Sequence, residues 1–216
     1  MTAQEAGSTR RHDEVEVKLP CDDLDGVRRK LRDLRAVAKA PLHFESNDLY
    51  DDAEGRLAAA GHVLRLRREK VLGGEASGAT AADARVRAIL TFKGSARFSG
   101  GVKAREERET SVSKPDEADA ILRGLGFKPY FRYEKKREEW TLENCEIALD
   151  EIPIGTFVEI EGEPPEIRHI VAALGLDFSL AIPYSYARLY AERRKADPSL
   201  PADMVFPGRE AEGGKG

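Results

Sequence analysis

Glu14-Val15-Glu16-Val17-Lys18 reads as a β-strand with three charges on one face and two valines on the other, because side chains alternate across a strand. A solvated strand face would explain this segment if it stood alone. The same alternation returns further along the chain. Arg65 and Arg67 alternate with Leu64 and Leu66, and Thr91 and Lys93 oppose Leu90 and Phe92. Arg105, Glu107 and Glu109 share one face, as do Lys135 and Arg137. Glu146, Ala148 and Asp150 alternate with Ile147 and Leu149, and Glu159 and Glu161 with Val158 and Ile160. Strands that each set aside one face for charge imply a β-structure with its charged side inward.

Composition narrows the classes. The 216 residues suffice for a substantial core; 41% are hydrophobic, a little low for a globular domain, and 34% are charged, which is high. Lys and Arg number 35 against 39 Asp and Glu, a net charge of −4. Nucleic acid and anionic membranes both call for a basic excess, so neither is expected as a partner. Here the two signs interleave within the same short segments, which suits a site holding both cations and anions. No signal peptide is visible, and no apolar stretch approaches the ~20 residues of a membrane span. Cys21 and Cys145 lack CxxC spacing and read as reduced thiols of a cytoplasmic protein, and the four histidines fall singly, unlike a zinc site.

Along the chain, residues 1–12 read as a disordered lead, 13–195 as a single domain and 196–216 as a poorly ordered tail rich in Pro, Gly and charge. Cys21-Asp22-Asp23 opens a helix with Leu24, Val27, Leu31 and Leu34 on one stripe, and Pro41 lies past its end. Ser46 to Asp51 reads as a short extended segment. Val71 to Ala84 reads as a long, mobile hairpin loop, a candidate lid whose bland sequence argues no specificity, and Ser99-Gly100-Gly101 as part of a second loop. Pro115 and Pro164-Pro165 start two more helices, and a last helix runs from Ser185 to Arg194.

This pattern is what an antiparallel barrel with a polar lumen requires, its apolar outer faces covered by amphipathic helices in an α+β fold. Charges packed in a narrow bore need partners, since two carboxylates ~4 Å apart repel by ~4 kcal/mol at an effective dielectric of about 20. Carboxylate clusters favour hard cations, Mg²⁺ or Mn²⁺, and alternate arginines suit phosphate oxygens. The ligand implied is a metal-bound oligophosphate held by strand side chains, because neither GxxxxGK[ST] nor GxGxxG occurs.

Glu14-x-Glu16-x-Lys18, Leu64-Arg65-Leu66-Arg67, Leu90-Thr91-Phe92-Lys93-Gly94, Lys135-x-Arg137, Leu149-Asp150 and Gly155-x-Phe157-Val158-Glu159-Ile160-Glu161 together resemble the successive motifs of the CYTH superfamily, the triphosphate tunnel metalloenzymes. The resemblance runs from Glu14 to about Tyr190. It implies an eight-stranded closed antiparallel barrel enclosing a divalent metal and a triphosphate. By the same resemblance Glu14, Glu16, Glu159 and Glu161 bind metal, with Asp150 contributing directly or through water. Arg65, Arg67, Lys93, Arg105, Lys135 and Arg137 would grip the phosphates. Glu107 and Glu109 would orient these cations or hold a second metal. Lys18 and Tyr50 stand where some members pair a lysine and a tyrosine on the attacking water, as a lysine among cations can act as a base.

Duller readings stand beside these. Taken singly, Glu107 and Lys103 read as solvated strand-face charges, and Tyr184, Tyr186 and Tyr190 as packing residues, although the Ser185-Tyr186 pair also recurs in the family near the tunnel mouth. Lys136, Arg68, Glu106 and Arg108 have the opposite parity and belong outside. Hydrolysis of inorganic, thiamine or nucleoside triphosphate is the leading expectation, for a monomer or homodimer acting on a small molecule. Class IV type adenylate cyclase and a non-catalytic polyphosphate-binding module are the alternatives.

Overall fold

The computed structural model describes residues 13–72 and 87–208; the lead 1–12, most of the expected lid loop and the last residues, 209–216, lie outside that range. Nine strands and five helices follow in the order β1 Asp13–Pro20, α1 Leu24–Asp33, β2 Val37–Asp51, α2 Arg56–Ala59, β3 Val63–Val71, β4 Arg87–Lys93, β5 Arg97–Ser99, β6 Val102–Val112, α3 Pro115–Gly124, β7 Lys128–Leu142, β8 Cys145–Ile152, β9 Gly155–Glu161, α4 Pro164–Ala173 and α5 Tyr186–Ala196. Hydrogen bonding runs β1-β9-β8-β7-β2-β3-β4-β6, and β6 pairs back onto β1. Every partner is antiparallel, so eight strands close into a barrel and β5 is an extra strand on β6.

Closure follows from the residue pattern. Each strand's apolar face turns outward, where helices cover it. Val17, Leu19, Ile147, Leu149, Val158 and Ile160 pack under Val27 and Leu31 of α1 and Ile167, Ile170 and Val171 of α4. Leu66 and Tyr50 pack under Leu122 of α3. At one end of the barrel the inward residues Leu49 and Tyr133, with Ile152 and Phe157, meet Tyr186 and Tyr190 of α5. Asp23 caps α1 by accepting from the Gly26 amide, and Pro115 and Pro164 lie in the first turns of α3 and α4, where a missing N–H costs nothing.

Three expectations need correction. Ser46–Asp51 is the end of a 15-residue strand, not a short segment, and Pro41 lies inside it. That strand survives because register shifts between Ala38 and Ala40 and between Ala40 and His43 break the ladder where the proline sits. The loop around Ser99 holds the short strand β5. The tail, finally, is packed as far as it is described. Met204 is 0% exposed, bridges Tyr133, accepts from the Glu134 amide and donates its own amide to Arg132 O. Apolar Leu200 and Met204 fill the space beside α5, which low overall hydropathy concealed. Met204→Ala should therefore cost about 2–5 kcal/mol in urea unfolding, the range for a buried methionine; a loss near zero would mean the segment is not seated there.

Candidate functional site

The inward faces line one cavity of about 780 Å³, within the usual size of a small-molecule site. On one wall, Lys93 donates to Glu14 (2.9 Å) and to Glu107 (2.7 Å), Arg105 Nε stands 3.6 Å from Glu14, and Lys103 pairs with Glu16. Glu159 accepts from Lys18 at 2.9 Å and from Arg137. On the facing wall Glu45, 0% exposed, lies 3.3 Å from Lys135, 3.5 Å from Arg67 and 3.9 Å from Arg137. Arg65 donates to Glu109 (3.1 Å), Thr91 (3.2 Å) and the Tyr133 hydroxyl (3.3 Å).

The predicted basic residues all line this cavity, as do Glu14, Glu16, Glu107, Glu109, Glu159 and Glu161. Lys136, Arg68, Glu106 and Arg108 are absent from its walls, as their parity requires. Lys103 is luminal and buried, against the solvated reading, and Glu107 is luminal and half-buried. Asp150 is buried behind the lining, where Arg137 grips it through two bonds of 2.7 and 2.6 Å and Tyr186 donates to it at 2.8 Å. It holds Arg137 rather than presenting a free oxygen.

Lys18 and Tyr50 do not meet. Tyr50 points out of the barrel under α3 and donates to Asp119 at 2.5 Å. Parity decides it, since His43, Glu45, Asn47 and Leu49 are the inward residues of β2. The tyrosine beside Lys18 is Tyr186, whose ring centroid lies 4.1 Å from the ammonium. Sequence reasoning treated Tyr186 as packing; Ser185, whose side chain caps α5, was the available signal that the ring would be delivered to the lumen. His43 and Glu45 were missed because the extended segment was read as starting only at Ser46, and Glu69 because it lies beyond the Arg65–Arg67 alternation of β3. Tyr133 was missed although it shares the parity of Lys135 and Arg137 on β7, which was the available signal.

Electrostatics divides the lumen. Burial raises Glu45 and Glu159, yet Lys135 for the first and Lys18 for the second, together with Arg137, hold both carboxyls well below the usual range. Burial and a hydrogen bond with Glu14 push Glu107 up to about 7, while Lys93 keeps Glu14 itself low. Burial, then the Glu14 and Glu146 carboxylates, push Glu161 up to about 7. This wall therefore carries more acid than its lysines and arginines neutralise. Oxygen donors suit a hard divalent cation, but Lys93, Lys103 and Lys18 hold Glu14, Glu16 and Glu159, and no three of the expected metal carboxylates converge within 4.8 Å among the described residues. Ligand atoms of His43, Glu45 and Glu69 do lie within 4.8 Å of one another, but Arg67 and Lys135 already occupy those carboxylates. The Nε atoms of Arg65, Arg67 and Arg105 are buried without a hydrogen-bond acceptor, although Glu69 stands off-angle 3.1 Å from that of Arg67. The three arginines nevertheless line the cavity, and planar guanidinium forks along one wall suit an anion.

The CYTH domain family matches residues 12–175. The chain belongs to the CYTH family. Structures similar to this CYTH chain include a candidate adenylate cyclase from Vibrio parahaemolyticus, 19% identical with a TM-score of 0.66 over 82% of this chain and 97% of that one. The PH1819 protein of Pyrococcus horikoshii is 25% identical, with a TM-score of 0.66 over 84% and 99%. HpAC1 from Hippeastrum, described as an adenylyl cyclase candidate with a dominant triphosphatase activity, is 22% identical, with a TM-score of 0.56 over 88% and 98%. No curated protein matches the chain. Among the described residues of this CYTH chain, no helix is long and apolar enough to cross a membrane.

Glu107 supplies a pH test. Its native pKa of about 7 exceeds the ordinary value of 4.5, so between those pH values the folded chain binds more protons than the unfolded one. Stability from this group is therefore full below about pH 4.5 and lost as pH rises through 7. Glu107→Gln, which mimics the protonated carboxyl, should raise the thermal midpoint of metal-free protein at pH 8 relative to wild type and change it little at pH 5. Equal shifts at both pH values would contradict the shared proton.

Proposed function

We propose that this chain is a divalent-metal-dependent triphosphatase that binds its substrate's phosphate chain along the barrel lumen. The observation that carries the reading is the set of arginines, Arg65, Arg67 and Arg105, lining the same cavity as the acidic wall. These guanidiniums, with Lys93 and Lys135, hold phosphate oxygens and stabilise charge on the transferring phosphoryl group. Arg137 is clamped by Asp150 and Glu159 and positioned rather than free. Lys18 is fixed by Glu159, the Tyr184 carbonyl at 3.3 Å and the Tyr186 ring, and it orients the attacking water. Glu14, Glu16, Glu159 and Glu161 would hold Mg²⁺ or Mn²⁺, whose charge would offset that of the phosphates. The two free thiols, Cys21 and Cys145, suit a cytoplasmic protein.

Cyclisation of ATP to cyclic AMP and pyrophosphate is the second reading, favoured by the name of the Vibrio parahaemolyticus structure. In HpAC1 triphosphatase activity dominates, and hydrolysis takes the same precedence here. Purified protein incubated with inorganic triphosphate or ATP, with Mg²⁺ or Mn²⁺, should release orthophosphate; cyclic AMP as the main product would reverse the order, and no turnover with either metal would leave only a binding module. Arg65→Ala should lower kcat/KM roughly 10²–10³-fold, the cost of removing one charge-stabilising donor. Tyr50→Phe should leave turnover within about twofold and lower stability by about 1.5–3 kcal/mol through loss of a bond to a charged group; loss of turnover from a stably folded variant would return Tyr50 to the reaction.

A further inference from the structure

His43 stands where β2 breaks step with its neighbour. The β2–β7 register passes from Ala40 opposite Glu139 to His43 opposite Arg137, so Pro41 is left out of that ladder. A bulge of this kind re-aims a side chain that a regular ladder would send elsewhere. The His43 ring lines the cavity and is only 5% exposed. Nothing in the proposed reaction uses it.

Both ring nitrogens face atoms that can only accept. Nδ1 stands 2.8 Å from the Pro41 carbonyl oxygen, and Nε2 stands 3.4 Å from Glu45 Oε1. A neutral imidazole has one N–H and would turn its remaining lone pair on an oxygen, whereas the imidazolium satisfies both sides. Glu45 is ionised, because Lys135, Arg137 and Arg67 surround it. Burial alone would drive the ring towards neutrality, but its bonds with Glu45 and Pro41 raise its pKa above the ordinary value.

The other groups around the ring are mixed in sign. On β3, Glu69 brings a carboxylate oxygen within 4.8 Å of a ring nitrogen, and Arg67 holds that carboxylate at 3.1 Å. On β7, Arg137 lies opposite in register, and Glu139 adds a further attraction for the ring's charge. Glu45 sits at the centre. It is fully buried and absent from the cavity wall, whereas His43, Arg67, Lys135 and Arg137 all line it. One carboxylate behind the lining thus anchors four cations that face the ligand space.

We infer that His43 is a further positioning residue of the phosphate site, acting through Glu45: while charged, it takes a share of that carboxylate and leaves Arg67, Lys135 and Arg137 freer to bind phosphate oxygens. When the ring loses its proton, the same carboxylate is divided among three cations rather than four, and the positive potential of the wall falls. Grip on phosphate therefore weakens as pH rises and the ring becomes neutral. The inference rests on the triphosphate reading and deepens it.

The test is calorimetric binding of inorganic triphosphate to the full chain, with a chelator present, between pH 6 and pH 9. Wild type is compared with His43→Gln, which keeps a donor for Glu45 but carries no charge at any pH. The ratio of the variant's Kd to that of wild type should be about tenfold at pH 6, the scale of one unit charge roughly 10 Å away at an effective dielectric of about 20. It should fall towards one as pH rises through the raised pKa of His43. Glu107 and Glu161, which titrate at about 7, are present in both proteins and cancel in the ratio. A ratio that stays constant with pH, as a merely structural change would give, overturns the inference.

Imidazole NMR follows the same proton without any ligand, the His43 signal being the one missing from His43→Gln. It should titrate above the ordinary 6.5 in wild type and move down in Glu45→Gln. A wild-type midpoint at or below that value overturns the inference even if Glu45→Gln does not fold. Binding with a constant ratio leaves the triphosphate reading standing and removes only the role of His43. A ratio that changes with pH, from a chain that turns over no triphosphate under Mg²⁺ or Mn²⁺, does the reverse. No binding by wild type at any pH overturns both.

Discussion

Opposite charges buried inside a closed sheet must neutralise one another, and the rest of this molecule is arranged around that requirement. Glu45 shows it most plainly. It is fully buried, and Lys135, Arg67, Arg137 and His43 all converge on it. Leaving a buried carboxylate without a partner costs several kcal/mol, so the cations across the bore cannot be altered one at a time without penalty. The same argument fixes the direction of each strand's faces. A one-residue slip would send the charged rows into the helices and the valines and leucines into the lumen.

Neutralisation is uneven, and the unevenness has chemical meaning. On the Glu45 side the cations match the anions, and the carboxyls there stay ionised. Around Glu14, Glu107 and Glu161 the acids are in excess, which a shared proton or a bound cation relieves. Between the two lie the guanidiniums of Arg65, Arg67 and Arg105, which line the same cavity. A fold that leaves donors and acid excess facing the same cavity has its stability and its ligand coupled. Whatever fills the gap completes an electrostatic balance that the chain alone leaves unfinished.

Most of this was legible in the sequence because strand parity is a strong signal. Glu14, Arg65, Lys93, Arg105, Lys135 and Glu159 all face the lumen as alternation with apolar residues predicts. What escaped had specific causes. The first half of β2 carries Pro41 and two of the strand's three register shifts, which broke the alternation that would have revealed His43 and Glu45. Tyr50 followed a motif resemblance against its own parity, and the parity was the better guide. Tyr186 enters the lumen from a helix, so no strand pattern could announce it. Lys103 and Glu107 looked like ordinary surface charges because nothing local says that β6 pairs with β1 and closes the ring.

That pairing bears on how the chain assembles. β1 comes first among the described strands, yet its neighbours are β6 and β9, and β9 ends at Glu161. During synthesis the earliest strand must wait with one edge unsatisfied until nearly the whole barrel has emerged. Contacts so distant along the chain make for slow folding, and an open edge in the meantime invites pairing with another copy. Glu14, Glu16 and Lys18 on that waiting strand give it charge while it is alone, so residues that later meet inside the lumen first serve as a guard against aggregation.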